Sequence, residues 1–193
     1  MSKDILEIRW HGRGGQGAKT AALLFADAAL DSGMDIQAFP EYGPERMGAP
    51  VASFNRLSKK PITLHCSITN PSIVVVLDPS LIGAVNVLDG VPDDGKIIVN
   101  TSAIPAEMRK ILGTKSIKVY TVDASGISKK EIGRDIPNTP MLGALLKISG
   151  LFDFKQTISQ IEAKLNKKFK SKPEIVAGNV NAIRRAYEEV GSE

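Results

Sequence analysis

A glycine-rich stretch near the N-terminus is the first candidate for chemistry. Gly12, Gly14 and Gly17 have the G-x-G-x-x-G spacing of a dinucleotide-binding turn, between a short apolar stretch and an Ala-rich stretch. In such a turn the glycines allow a tight bend, close approach of a phosphate to the backbone, and close packing of the following helix. The N-terminus of that helix presents unpaired N–H groups and the positive end of its dipole to an anion.

The spacing alone is compatible with two interpretations, a ligand-binding turn and a turn that is Gly-rich for packing. Arg13 and Lys19 flank the turn and favour an anionic ligand. A Walker A loop is excluded, because with Lys19 and Thr20 as its Lys-Thr pair the loop needs glycines at positions 13 and 18, which hold Arg13 and Ala18.

Length and composition predict one soluble domain spanning residues 1–193. The hydrophobic content of 42% and charged content of 24% are ordinary for a globular protein. The net charge of +4 is too small to indicate nucleic-acid binding. The densest basic run, residues 167–172, is typical of a solvated turn.

The scarcity of cysteine and histidine excludes several kinds of site. Cys66 is the single cysteine, so the chain forms no internal disulfide and no Cys-ligated iron–sulfur cluster of its own. His11 and His65 are too far apart in sequence for a local zinc motif. Without a membrane-length apolar stretch or an apolar signal core, we expect a cytoplasmic protein.

The periodicity of the chain predicts alternating strands and helices. We expect strands at residues 4–11, 35–39, 51–57, 73–78, 96–100 and 117–122, and an antiparallel return at 62–65. We expect helices at residues 18–32, 79–88, 106–112, 139–150, 154–165 and 173–190, the fourth with Thr139 as N-cap and Pro140 at its first position. These patterns predict a Rossmann-like three-layer α/β/α fold. Its sheet is mostly parallel with an antiparallel excursion at residues 51–65, and its C-terminal third is helical.

Residues 40–50 contain three prolines and two glycines, which argues against regular structure. The segment is also rich in Tyr, Arg and Glu, types that are rarely concentrated in a plain connector. We therefore interpret it as a binding or interface loop.

Four segments together resemble the gamma subunit of the 2-oxoacid:ferredoxin oxidoreductases, with the pyruvate enzymes as the first choice. They are residues 9–17, 40–50, 54–56 and 136–144, and the resemblance covers nearly the whole chain. Met47 stands where the family pattern leads us to expect a second arginine.

The resemblance implies a multi-subunit enzyme that oxidatively decarboxylates a 2-oxoacid onto coenzyme A and reduces ferredoxin. It places thiamine diphosphate on the alpha and beta subunits and iron–sulfur clusters on beta and delta. The gamma chain is then a structural subunit with no catalytic residue and no metal. It is expected to be inactive alone and is a candidate for contact with coenzyme A.

Two sets of residues follow from this interpretation. Coenzyme A carries a 3′-phosphate and a pyrophosphate, which suit the glycine turn and nearby cations. The predicted cofactor-binding set is Gly12, Arg13, Gly14, Gly15, Gln16, Gly17, Arg46 and Arg56, with Lys19 beside it. The predicted partner-facing set is Glu41, Tyr42, Glu45 and Met47.

A stand-alone NAD(P)-dependent oxidoreductase is the alternative. It requires an acidic residue at the end of the second strand to bind the ribose. Glu41 is close to that position, although Pro40 precedes it.

Overall fold

The computed structural model describes residues 5–41 and 48–192, in which strands alternate with helices. The strands are β1 (Ile5–Arg13), β2 (Asp35–Glu41), β3 (Pro50–Ser58), β4 (Ile73–Val76), β5 (Lys96–Asn100), β6 (Lys118–Val122) and β7 (Gly191–Ser192). The helices are α1 (Ala18–Asp31), α2 (Pro105–Leu112), α3 (Ala124–Ile132), α4 (Asn138–Ser149), α5 (Phe154–Lys168) and α6 (Pro173–Glu189).

The strands of the described residues form one seven-stranded sheet in the order β2-β3-β1-β4-β5-β6-β7. Neighbours among β1, β4, β5 and β6 are parallel. β3 runs antiparallel between β1 and β2, and β7 runs antiparallel to β6. Five strands therefore point one way, which confirms the mostly parallel sheet with an antiparallel excursion. The short β7 is a second antiparallel strand that the sequence did not predict.

The sheet is covered on both faces, as β4 illustrates. Ile73 and Val75 belong to one apolar core, while the alternate residues Val74 and Val76 belong to another. The larger core lies against α1, α3, α4, α5 and α6, and the smaller one against α2 and the segment at residues 82–91. This confirms the three-layer arrangement, because a continuous β-branched run is stable only when both of its faces are buried.

Asn55, buried in β3, joins the first strand to the first helix. The indole Nε1 of Trp10 donates to Asn55 Oδ1 at 2.8 Å, and Asn55 Nδ2 donates to the Ala22 carbonyl at 2.9 Å. The buried face of α1 consists mainly of alanines, which allow the helix to lie close to the sheet. The turn between β1 and α1 is therefore held between two firmly packed elements.

The strand order creates a crevice at the carboxyl ends of β1 and β4. From β1 the chain passes through α1 to β2 and β3 on one side, whereas β4 lies on the other side. Open α/β sheets bind ligands in the crevice at such a reversal of strand order. The glycine turn follows β1 and Asp78 follows β4, so both lie at this crevice.

Two predictions about regular structure near the edge of the sheet are wrong. Pro40 and Glu41 belong to β2, and Pro50 is the first residue of β3, although residues 40–50 were expected to lack regular structure. An edge strand and a strand's first residue both tolerate proline, because neither position needs its N–H in the ladder. Residues 62–65 are not a strand. Their backbone groups form hydrogen bonds with side chains instead of with another strand. For example, Gln37 Nε2 donates to the Leu64 carbonyl at 2.9 Å.

Two helix predictions also need correction. After Asp78 the chain forms only a 3-10 turn, Pro79–Leu81, rather than a helix to residue 88, because Ile82 has an extended backbone with ψ 119°. In α4 the N-cap is Pro137 rather than Thr139, and Pro140 is the third helical residue. Proline is tolerated there because the first N–H groups of a helix have no intrahelical partner.

Candidate functional site

The glycine turn adopts a conformation that two of its glycines make possible. Gly15 and Gly17 have φ values of +98° and +83°, in the left-handed region that side chains with a Cβ rarely adopt. Gly12 lies where an added Cβ would be 3.4 Å from the Cβ of Ala18, so the end of β1 and the start of α1 are closely packed there. The turn is also anchored laterally, because Gly14 N donates to the Ala49 carbonyl at 2.9 Å.

Arg13 crosses the crevice from the end of β1 to the residues that follow β4. Its Nε lies 3.1 Å from Asp78 Oδ2, and its NH2 donates to Ser80 Oγ at 2.8 Å. Its NH1 donates to the Gly48 carbonyl at 3.1 Å. Arg13 is thus an ion-paired residue at the rim, with about a third of its side chain exposed.

Gln16 completes a closed network with the same carboxylate. Its Oε1 accepts from the backbone N–H of Arg13 at 2.8 Å, and its Nε2 donates to Asp78 Oδ2 at 2.8 Å. Burial raises the pKa of Asp78, but hydrogen bonds from Ser80 and Gln16 and the charge of Arg13 outweigh it, so the pKa lies below its usual value. The Asp78 carboxylate is therefore ionised near neutral pH and fixes both ends of the turn.

Asn138, at the start of α4, closes the other side of the turn. A Cβ on Gly17 would lie 3.0 Å from Asn138 Cγ, which leaves no room for any side chain at position 17. Asn138 is buried and accepts from the Thr139 N–H at 2.8 Å. The motif at residues 136–144 therefore lies against the glycine turn although more than a hundred residues separate the two.

Further polar groups line the carboxyl ends of the neighbouring strands. Asn100, at the end of β5, accepts from Ser125 N at 3.0 Å and donates to the Leu77 carbonyl at 2.8 Å. Hydrogen bonds from Lys129 and Ser125 lower the pKa of Asp135, while the nearby charge of Asp78 acts in the opposite direction. The crevice thus contains acidic as well as basic groups.

The N-terminus of α1 opens toward the crevice. Gly17 is its N-cap, no side chain of the described residues caps it, and its first turn contains no acidic residue. Gly15 is exposed, and a Cβ there would meet no described atom within 4 Å. Lys19 is an exposed residue of the first helical turn. Such an end suits a phosphate or a carboxylate.

Arg56, predicted to bind the same ligand, lies elsewhere. It is 1% exposed, and its Nε donates to Glu7 Oε1 at 2.7 Å. Its NH1 and NH2 groups donate to Gln37, to the backbone carbonyls of Leu64 and Cys66, and to Cys66 Sγ. Arg56 pairs with Glu7 in the sheet, five residues before Gly12, so the structure does not bring it to the turn. A buried, paired arginine of this kind has a structural role.

The remaining predicted residues are only partly described. Glu41 is exposed at the end of β2, whereas Tyr42, Glu45, Arg46 and Met47 lie outside the described residues. Because β3 separates β2 from β1, Glu41 is not beside the turn, where a ribose-binding acid of an NAD(P) enzyme would be.

Asp78, Ser80 and Asn138 were not predicted as site residues. The signal for Asp78 was its position directly after a buried strand, where side chains reach the carboxyl edge of the sheet.

Within residues 5–41 and 48–192, no three His, Cys, Asp or Glu side chains are grouped as a metal site requires. Across the same residues, no helix has both the length and the apolar character needed to cross a membrane.

His11 makes the chain sensitive to acid. Burial, with a smaller contribution from the Arg9 charge, lowers the pKa of His11 from 6.5 to about 4. A base whose pKa is lowered by folding contributes stability that is present above pH 6.5 and is lost as the pH falls toward 4. Between pH 7.5 and 5 we expect His11 to account for a loss of about 2 kcal/mol in the free energy of unfolding. Urea denaturation at both pH values checks this.

The variant His11→Gln should remove most of this loss, and His65→Gln, at an exposed histidine, is the matched control. An equal loss of stability in His11→Gln and in the unmodified chain would show that His11 is not the acid-sensitive group.

The chain is similar to known proteins both in sequence and in structure. Residues 7–189 match the model of the pyruvate ferredoxin/flavodoxin oxidoreductase family. The chain is 44% identical over 190 residues to the pyruvate synthase subunit PorC of Thermotoga maritima, covering 98% of this chain and 97% of that one. It is 45% identical over 184 residues to the common gamma subunit of the pyruvate/ketoisovalerate oxidoreductases of Pyrococcus furiosus, covering 95% and 96%.

Solved structures agree with this assignment. The crystal structure of the Thermotoga maritima subunit superposes with a TM-score of 0.85 at 43% identity, covering 99% of both chains. A 2-oxoglutarate:ferredoxin oxidoreductase of Magnetococcus marinus, solved with coenzyme A bound, shares the fold with a TM-score of 0.76 at 21% identity, over 97% of this chain and 31% of that one. The chain therefore belongs to the pyruvate ferredoxin/flavodoxin oxidoreductase family, as a gamma-type subunit of such an enzyme.

Proposed function

We propose that this gamma subunit is a non-catalytic component of a cytoplasmic pyruvate:ferredoxin oxidoreductase and that its glycine turn contacts coenzyme A. The alpha, beta and delta subunits are its partners, and ferredoxin accepts the electrons of the complex. The observation that carries the proposal is the prearranged turn, which Asp78, Arg13 and Gln16 hold with the N-terminus of α1 open to the crevice.

The chemistry of the turn suits a phosphate group of coenzyme A. The N–H groups at the start of α1 and the open position at Gly15 allow a phosphate to approach the backbone closely. Arg13 adds a guanidinium whose position is fixed by Asp78 and Ser80. Because Asp78 partly neutralises its charge, Arg13 attracts a phosphate less strongly than a free arginine would. We therefore assign Arg13 the role of orienting the phosphate at the turn. Arg56, buried and bonded to Glu7, is not part of this contact. A fold neighbour of this chain holds coenzyme A in its solved structure.

The catalytic cofactors are assigned to the partner subunits. One cysteine cannot ligate an iron–sulfur cluster, and Cys66 is exposed and bonded through its carbonyl to Arg56. We assign the clusters to the beta and delta subunits for this reason and thiamine diphosphate to alpha and beta by the family resemblance, so that electrons reach ferredoxin without a carrier on this chain.

We predict that the isolated chain has no pyruvate:ferredoxin oxidoreductase activity, because the chemistry belongs to cofactors that it cannot hold. Reconstitution tests this, by assaying anaerobic reduction of ferredoxin by the partner subunits with and without the purified gamma chain. The expected result is no turnover by the chain alone and full turnover in the complete complex. Turnover by the single chain, free of other subunits, would contradict the proposal.

The same reconstitution tests the assigned partner-facing surface, Glu41, Tyr42, Glu45 and Met47. Glu41 is exposed at the end of edge strand β2, and tyrosine and methionine are types favoured at the centres of interfaces. The double variant Tyr42→Ala/Met47→Ala should weaken assembly, measured by size-exclusion chromatography. Lys170→Ala, on the exposed turn after α5, serves as the control. If the double variant assembles as the unmodified chain does, the segment at residues 40–50 is only a connector and not part of the interface.

A further inference from the structure

The side chain of Asn138, the first residue of α4, lies at the N-terminus of α1. A Cβ built on Gly17, the N-cap of α1, would lie 2.5 Å from Asn138 Nδ2 and 3.0 Å from its Cγ. The amide nitrogen is therefore the part of Asn138 that comes nearest to this end of the helix. The segment at residues 136–144 thus brings a hydrogen-bonding group to the glycine turn as well as a packing contact.

The orientation of the Asn138 amide is fixed through its oxygen. Oδ1 accepts from the Thr139 N–H at 2.8 Å. A flipped amide would place two donors face to face, so the oxygen points to Thr139 and the nitrogen points to the turn. Thr139 is itself tied to α6, since its Oγ1 donates to Asn179 Oδ1 at 2.9 Å. The amide nitrogen is therefore held in place at the turn.

This amide nitrogen is an unused donor. Within residues 5–41 and 48–192, the hydrogen bonds of the Asn138 side chain all go to its oxygen. The residue is only 7% exposed, yet its nitrogen still reaches solvent. It differs in this from the described atoms that are sealed from solvent without a partner, namely Arg9 Nε, His11 Nε2 and Gln160 Oε1. A nearly buried amide with its donor left open at the crevice is suited to an acceptor that arrives from outside.

The unpaired N–H groups of α1 lie at the same place. The first hydrogen bond within the helix runs from Ala21 N to the Gly17 carbonyl at 3.0 Å, so the N–H groups of residues 18–20 have no intrahelical partner. Given its distance from a Cβ on Gly17, Asn138 Nδ2 lies no more than about 6 Å from the Ala18 nitrogen by standard bond lengths. The oxygens of one phosphate group can accept from two donors at such a separation.

The acidic groups near this place are paired. Asp78 lies 3.1 Å from Arg13 Nε, and Asp135, three residues before Asn138, lies 3.0 Å from Lys129 Nζ. Neither carboxylate therefore repels an anion as an unpaired one would. The positive end of the α1 dipole acts in favour of the anion.

We propose that Asn138 binds the anion at the glycine turn, by donating from Nδ2 to a phosphate group that also accepts from the start of α1. The proposal deepens the assignment of coenzyme A to this turn and rests on it for the identity of the ligand. Because the amide is neutral and held in one orientation, its bond depends on direction. Asn138 therefore determines where the phosphate sits, whereas the helix dipole attracts it.

Asn138→Asp tests this contact in the full chain, because it keeps the shape of the side chain and replaces the donor by a charged acceptor. With inorganic pyrophosphate as the probe, isothermal titration calorimetry at pH 7.5 should show binding weakened at least about tenfold. The Tm should not fall, since the carboxylate still accepts from the Thr139 N–H and lies in the first turn of α4, where the helix dipole favours a negative charge. Asn166→Asp, at an exposed position of α5, is the charge-matched control and should bind pyrophosphate as the unmodified chain does.

If Asn138→Asp does not fold, Asn138→Ala removes the donor without adding a charge and should still weaken binding about tenfold. Equal affinity of Asn138→Asp and the unmodified chain, or no binding of pyrophosphate by the unmodified chain, would overturn the inference.

Competition by coenzyme A separates this inference from the proposed function. If coenzyme A does not displace pyrophosphate while Asn138→Asp weakens it, the anion site stands and the assignment of coenzyme A fails. If coenzyme A displaces pyrophosphate and Asn138→Asp binds both at full strength, the assignment stands and Asn138 serves packing alone.

Discussion

Replacing Gly143 by alanine should lower the free energy of unfolding by about 3 kcal/mol, although the residue lies inside a helix. Helix propensity alone predicts the opposite, a gain of about 1 kcal/mol for Gly→Ala. The structure predicts a loss because a Cβ at this position would overlap the carbonyl oxygen of Ile183 in α6 and lie 2.9 Å from its carbonyl carbon. Backbone atoms of a packed helix cannot rotate away as a flexible side chain can, so α4 and α6 would have to separate.

Urea denaturation followed by circular dichroism measures this effect. Asn166→Ala is the control, because Asn166 is exposed on α5 and its replacement should raise the stability slightly by propensity alone. Gly178→Ala is a second test, since its Cβ would overlap the Glu131 carbonyl oxygen of α3. A gain in stability in Gly143→Ala would show that the contact between α4 and α6 can open without cost.

The same contact fixes the candidate site, because α4 begins with Asn138, which lies against Gly17. A displaced α4 would release one side of the glycine turn. Gly143, five residues from Asn138, therefore acts on the site only through the position of its helix.

Much of this fold could be predicted because its signals are local. Lys96–Asn100 was predicted as a strand with the observed bounds, since a continuous apolar run needs no knowledge of its neighbours. The turn between β1 and α1 was predicted in the same way, from glycine spacing and the alanines that follow.

The errors arose where a long-range contact decides the structure. Residues 62–65 have the sequence pattern of a strand. In the structure the Leu64 carbonyl instead accepts hydrogen bonds from the side chains of Gln37 and Arg56. Arg56 looked like a ligand for phosphate because nothing in its own segment reveals the partner Glu7, 49 residues earlier. The Asp78 carboxylate, the centre of the site, lies more than sixty residues from Arg13 and Gln16, so only the sheet order brings the three together.

In the assembled enzyme, Gly15→Val should raise the KM for coenzyme A, while the half-reaction that proceeds without coenzyme A stays near normal. A valine at φ +98° is strained, but its side chain would enter open space and would block the approach of a phosphate. Arg13→Ala should raise the KM about tenfold, because Asp78 already neutralises part of the guanidinium charge and leaves a contact with phosphate worth on the order of 1.5 kcal/mol. Steady-state kinetics and a single-turnover decarboxylation assay provide the two measurements.

Gly17→Ala is the matched variant that separates ligand binding from packing. It lies two residues from Gly15, also has a positive φ, and carries the same kind of backbone strain. Its Cβ would meet Asn138 rather than the open crevice, so it should lower stability and assembly and reduce both half-reactions together. If the turn binds coenzyme A, the two glycine variants must therefore differ in which half-reaction they affect. If the turn serves packing alone, Gly15→Val will only weaken folding, and Arg13→Ala in a fully assembled complex will respond to coenzyme A as the unmodified enzyme does.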